Sequence, residues 1–155
     1  MNEIPVCETR VRVRYAETDR MGVVYHANYL VWFEVGRVEW LRQMGFSYRE
    51  MEEQDDCAIA VVDVHCRYKA PARYDEELIV RTHLKNVREC MVHFGYEVVR
   101  ADDNALLAEG DPFFYGSSNG SGGGVRIVGR WVLPIVAALV ATLALRSVSR
   151  REPSS

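Results

Sequence analysis

No two of the four cysteines, Cys7, Cys57, Cys66 and Cys90, stand in a C-x-x-C pair, and their spacing forms no regular pairing framework. That argues against a disulfide-stapled scaffold and points to reduced thiols in a cytosolic protein. The four histidines, His26, His65, His83 and His93, lack metal-ligand spacing, so no metal is expected. Met1 to Arg14 holds no apolar core, so no leader peptide is expected there. A G-x-x-x-x-G-K phosphate loop is absent. Positive charge is not in excess either: the net charge is −3, which gives no reason to expect a nucleic-acid partner.

What is present divides unevenly. The chain has 155 residues, enough for one domain with a real core. Residues 1–110 carry a net charge of −6, whereas residues 111–155 carry +3 and contain neither Lys nor His. Gly116 to Gly124 is GSSNGSGGG, the composition of a flexible linker. The expected organisation is therefore a domain over 1–115, a linker over 116–124 and an apolar tail over 125–155. Within the tail, Trp131 to Leu145 is an uncharged run of 15 residues between Arg130 and Arg146. A membrane span takes about 20 residues. Three readings compete for the tail: a membrane anchor that gives membrane contact, an extra helix on the domain, or out-of-frame sequence.

The domain is organised around Tyr15 to Leu30, YAETDRMGVVYHANYL. Before it, Val11, Val13 and Tyr15 alternate with Arg10, Arg12 and Arg14, the pattern of a half-buried strand over Glu8–Tyr15. After it, Tyr29, Phe33, Gly36, Trp40 and Met44 recur at helical spacing, and Trp32, Val35 and Leu41 widen the apolar face. Arg37, Glu39, Arg42 and Gln43 supply a restricted polar face. Asn28 fits the N-cap and Gly45 the residue that ends the helix. Ser47 to Gln54 reads as a short capped helix. Strands are then expected over Ala58–Tyr68, Leu78–Val87, Met91–Arg100 and from Leu106, with a turn at Asp102-Asp103-Asn104. One strand, a buried helix and an antiparallel meander make an α+β order.

The central stretch places Asp19 on a loop that ends at a helix start. A carboxylate there can meet a carbonyl polarised by the helix's free N–H groups, which is the geometry for breaking an acyl bond. The run Asp19, Gly22, Val23, Val24, Tyr25, His26, Asn28 and Tyr29 resembles the motif of the hotdog-fold acyl-CoA thioesterases, in particular the 4-hydroxybenzoyl-CoA thioesterase and YbgC-like (Tol-Pal-associated) group. The resemblance covers roughly Val11 to Gly110. It implies a hotdog fold, an antiparallel sheet curled around one long central helix, here with an atypical C-terminal tail. It also implies hydrolysis of an acyl-CoA to a free acid and coenzyme A, without a cofactor beyond the coenzyme A of the substrate. Relatives pair as dimers with active sites at the subunit interface, so a homodimer or homotetramer is expected.

The same resemblance suggests roles. Asp19 acts as nucleophile or as general base; the residues leave that choice open. The backbone N–H of His26 polarises the thioester, and its imidazole is a candidate to assist. Tyr15 is a candidate hydrogen-bond donor in the site, with a core role equally good. Gly22, which shapes the loop, and Asn28, which opens the helix, are candidate substrate-binding residues, and Tyr25 lines the acyl pocket or packs. Glu17 reads as a surface residue. Arg67, Lys69 and Arg73 bracket Pro71, either as a solvated strand end or as contacts to coenzyme A phosphates. The His-and-Glu arrangement of hotdog dehydratases is missing. Gly116 to Gly120 matches G-x-S-x-G, but no His follows His93, so it is linker rather than a nucleophile elbow. The opposing reading is a non-catalytic acyl-binding or membrane-tethered partner module.

Overall fold

A computed structural model describes residues 5–45, 49, 57–88, 91–118 and 126–127. Their order is β1 (Cys7–Arg12), a 3₁₀ turn (Tyr15–Glu17), α1 (Asn28–Gln43), β2 (Cys57–Asp63), β3 (Cys66–Tyr68), β4 (Glu77–Arg88), β5 (Met91–Arg100), β6 (Leu106–Gly110), β7 (Phe113–Ser118) and β8 (Arg126–Ile127). The strands form one antiparallel sheet, β1-β4-β5-β6-β3, which β7 joins through β5 while carrying β2 and β8. The α+β order is as expected. The expected helix over Ser47–Gln54 and the Trp131–Leu145 run lie outside the described residues, Arg49 apart. No described helix is long and apolar enough to cross a membrane.

Alternation decides which sheet face meets the helix. Leu78, Val80, Thr82 and Leu84 of β4 are buried, as are Phe94, Tyr96 and Val98 of β5. They face Tyr29, Trp32, Phe33, Trp40 and Leu41 of α1 across one continuous core. Removing each such large side chain from water contributes roughly 1.5–3 kcal/mol. Phe33 stacks on Tyr96 with ring centroids 4.7 Å apart, and Trp40 meets Phe94 edge-on at 5.3 Å.

Several expectations change. Tyr15 lies in the 3₁₀ turn rather than on β1, because the chain leaves the sheet after Arg12. The helix N-cap is Ala27, without a side-chain cap; Asn28 is the first helical residue and uses its amide elsewhere. Arg37 belongs to the buried face and Val35 to the exposed one. Arg37 is accommodated by Glu34, 3.7 Å away, and by the Phe114 ring 4.9 Å beneath its guanidinium. Gly45 does end the helix, at φ +88°.

The strand expected over Ala58–Tyr68 is split into β2 and β3. Its neighbour is split opposite, at Asp111-Pro112, into β6 and β7. Pro112 has no N–H to give a ladder. Even so, one register survives the break: Tyr96 faces Gly110 and His93 faces Phe113 on β5. The Phe94 N–H still reaches the Pro112 carbonyl at 3.4 Å. β7 then pairs with β2 as far as Ser118, three residues past the Tyr115 boundary expected from composition.

Gly36 sets the distance between helix and sheet. A Cβ there would lie 2.4 Å from Thr82 Oγ1 and 3.0 Å from Val80 Cγ1. In an exposed helix, Gly→Ala is stabilising by about 1 kcal/mol. Here Gly36→Ala should instead destabilise by about 1–3 kcal/mol, since the sheet must move away. Thermal unfolding followed by circular dichroism checks the sign.

Candidate active site

The chain leaves β1 at Val13 and forms a tight double turn before α1. Glu17 closes the first turn: its backbone N–H reaches the Arg14 carbonyl at 3.0 Å. The loop then folds on itself as a small hairpin. Thr18 bridges Val24, and the Asp19 N–H donates to the Val23 carbonyl at 2.8 Å. Gly22 takes φ +76° at its tip and returns its N–H to the Asp19 carbonyl at 3.0 Å. Val23 also bridges Arg73, and the Val24 N–H meets the Ala72 carbonyl at 2.8 Å. The loop is thus tied to the segment that follows β3.

Asp19 is held within this hairpin. Its Oδ1 accepts the Met21 N–H at 2.7 Å, and Oδ2 has no hydrogen-bond partner among the described residues. It lines a cleft of about 380 Å³ with Val23, His26, Tyr29, Tyr68 and Lys69. The cleft brings together Asp19, His26 and Lys69 from the expected set.

The helix entrance is overwound. The N–H groups of Asn28, Tyr29 and Leu30 donate three residues back, to Tyr25, His26 and Ala27. That arrangement leaves the N–H groups of His26 and Ala27 without an acceptor among the described residues. Both sit at the positive end of the helix dipole. Asn28 Nδ2 donates to the Glu17 carbonyl at 2.8 Å, so its role is to fasten the loop to the helix. The His26 ring is exposed, 4.4 Å from Tyr25 and 6.3 Å from Tyr68 by centroid. Tyr25 is half-exposed and its N–H is spent on the Glu17 carbonyl at 2.9 Å.

Other expected residues lie apart. Tyr15 is 79% exposed, with its ring edge-on to Tyr74, and does not line the cleft. Arg67 is exposed on β3, opposite Glu109. Lys69 is 3.5 Å from Glu109 at the cleft wall.

Two residues escaped the sequence reading. Tyr68 donates its hydroxyl to the His26 carbonyl at 3.0 Å and packs edge-on to Tyr29. Burial first, then the Cys66 thiol and Tyr29, push its hydroxyl up to about 12, so it remains a donor. Nothing in the local pattern of β3 marks it. Glu17, expected on the surface, is 6% exposed. Burial raises its carboxyl, but the Arg14 N–H at 2.7 Å and Arg14 Nη2 at 3.0 Å outweigh that and hold it below the usual range. The Arg14-to-Glu17 spacing is that of a capping box, which is the signal that could have revealed it.

Residues 13–137 match the model of the thioesterase-like superfamily. YneP of Bacillus subtilis (strain 168) is 43% identical over 93 residues, 60% of this chain and 67% of that protein. The acyl-CoA thioester hydrolase YbgC of Escherichia coli O6:H1 is 38% identical over 101 residues, 65% of this chain and 74% of that protein. A DHNA-CoA thioesterase from Staphylococcus aureus superposes with a TM-score of 0.79 at 29% identity, covering 93% of this chain and 95% of that one. The hairpin-borne carboxylate, the helix entrance and the sheet from β2 to β8 fall within the matched span, and the chain belongs to the thioesterase-like superfamily of hotdog fold.

Proposed function

We propose that this protein hydrolyses acyl-CoA thioesters to a carboxylic acid and free coenzyme A. The observation that carries the reading is the shared cleft: a carboxylate with one unbonded oxygen, Asp19, lies in it with the entrance of α1. Similarity to a named acyl-CoA thioester hydrolase supports the same chemistry. The thioester carbonyl accepts from the His26 and Ala27 N–H groups, which stabilise the oxygen as it becomes an oxyanion. Asp19 attacks that carbon, or takes a proton from the water that does. Either route breaks the C–S bond and releases the thiolate of coenzyme A; where Asp19 attacks, water then hydrolyses the mixed anhydride to release the acid and restore the carboxylate. Tyr68, bonded to the His26 carbonyl, keeps the peptide that carries the second N–H, that of Ala27, in place.

A second copy of the chain completes the assembly in this reading. Leu30, Val31 and Val35 of α1 and Val61 and Val62 of β2 are exposed apolar residues. Leu30, Val31 and Val61 line a groove of about 260 Å³ with Val64 and Phe114. Among the described residues, β2 pairs only with β7, which leaves its other edge for another strand.

Three measurements test these statements. Asp19→Asn keeps the side-chain shape but can neither attack nor take a proton. It should cut kcat for thiol release at least about 100-fold while the fold persists; a folded variant with full activity would remove the mechanism. Tyr68→Phe removes one neutral hydrogen bond, worth about 1 kcal/mol, and should slow kcat by roughly fivefold. An unchanged kcat would detach Tyr68 from the site. Light scattering at assay concentration should report a dimer or tetramer, and a fully active monomer would contradict the assembly.

A further inference from the structure

We propose that Glu17 is a positioning residue that sets Asp19 against the entrance of α1. This rests on the reading of Asp19 as the reacting carboxylate. Glu17 does not line the cleft, yet it is bonded both to the exit of β1 and to the run that leads into α1. Its carboxylate accepts the Arg14 N–H at 2.7 Å and Arg14 Nη2 at 3.0 Å. Its carbonyl accepts the Tyr25 N–H at 2.9 Å and Asn28 Nδ2 at 2.8 Å. The side chain is therefore anchored to the exit of β1. The main chain is anchored to both ends of the short run that leads into the helix.

Asp19 is two residues downstream. Thr18 between them is fixed by its bridge to Val24 and by its hydroxyl, which donates to the Tyr15 carbonyl at 2.8 Å. A rotation of the Glu17 peptide would carry Asp19 and its hairpin relative to the His26 and Ala27 N–H groups. A carboxylate suits the site because both groups bonded to its side chain, the Arg14 N–H and Nη2, are donors. An amide of the same size would turn its own NH₂ toward one of them, donor against donor. The cost arises inside the protein, where Glu17 is 6% exposed and water cannot repair the mismatch.

Glu17→Gln in the full chain tests this, with thiol release from butyryl-CoA and benzoyl-CoA measured where circular dichroism shows the variant folded. The expected result is a kcat lower by about tenfold with KM within about threefold, since misplacement acts on the reacting geometry rather than on binding. The Glu17→Gln/Asp19→Asn double variant should be no slower than Asp19→Asn alone, because Glu17 acts through Asp19. Losses that multiply would reduce Glu17 to a general structural contact and overturn the proposal. Amide hydrogen exchange supplies a readout without activity. The Asp19, Val24 and Tyr25 amides should exchange faster in Glu17→Gln by a larger factor than those of β4 and β5. Equal factors overturn the proposal whatever the kinetics show. If the wild type releases no thiol, the thioesterase reading fails by itself while the exchange comparison still decides Glu17. Should Glu17→Gln not fold, Arg14→Met removes the Nη2 donor from an exposed side chain, and the same kinetic and exchange comparisons apply.

Discussion

The close approach of α1 to the sheet is the constraint on which the rest depends. It is possible only because Gly36 lets the helix axis settle against Val80 and Thr82. Phe33 enters the space left by Gly110 in the same way, on the far side of the contact. Those two glycines sit on different elements, and each removes a side chain where the other layer needs room. With the helix at that distance, Trp32, Trp40 and Leu41 fill the core without an exposed edge, and Arg37 is carried under with its charge offset by Glu34 and the Phe114 ring.

The position of the helix then fixes the position of the site. The entrance of α1 emerges where the hairpin of Asp19 is pinned to the segment after β3, by the Val24 N–H on the Ala72 carbonyl. A rigid core thereby places His26, at the helix entrance, on the same cleft as the Asp19 loop. The loop has no core of its own. Its shape is set by backbone bonds, by the left-handed Gly22 and by the buried carboxylate of Glu17. Preorganised donors of this kind need no rearrangement during reaction, which is why their placement bears on rate.

The sheet tolerates a defect by sharing it. Pro112 interrupts one strand, the neighbouring strand breaks opposite at residues 64–65, and β5 runs unbroken beside the gap. The Asp111 N–H finds the His65 carbonyl at 2.9 Å, so the interruption leaves that donor satisfied. A proline that reads as the end of a strand is therefore only a pause in it.

The sequence by itself determined the element types, the α+β order and the stretch on which the proposed site rests. Strand alternation and helical spacing record which residues face a core, and the motif from Asp19 to Tyr29 is contiguous, so both can be read along the chain. Three things were decided only in three dimensions. Arg37 lies on the buried face beside Glu34 and Phe114, a neighbour on the helix and one on a distant strand, while Val35 lies on the exposed one. Tyr68 joined the cleft because β3 pairs with β6 and so brings it under His26, a contact 42 positions away in sequence. Glu17 left the surface because the loop turns it inward, its carboxylate on Arg14 and its carbonyl on Tyr25 and Asn28, and of these only the Arg14 spacing shows in the local pattern. Local propensity reads the period of a segment; which long-range partner satisfies a polar group is settled only when the segments pack.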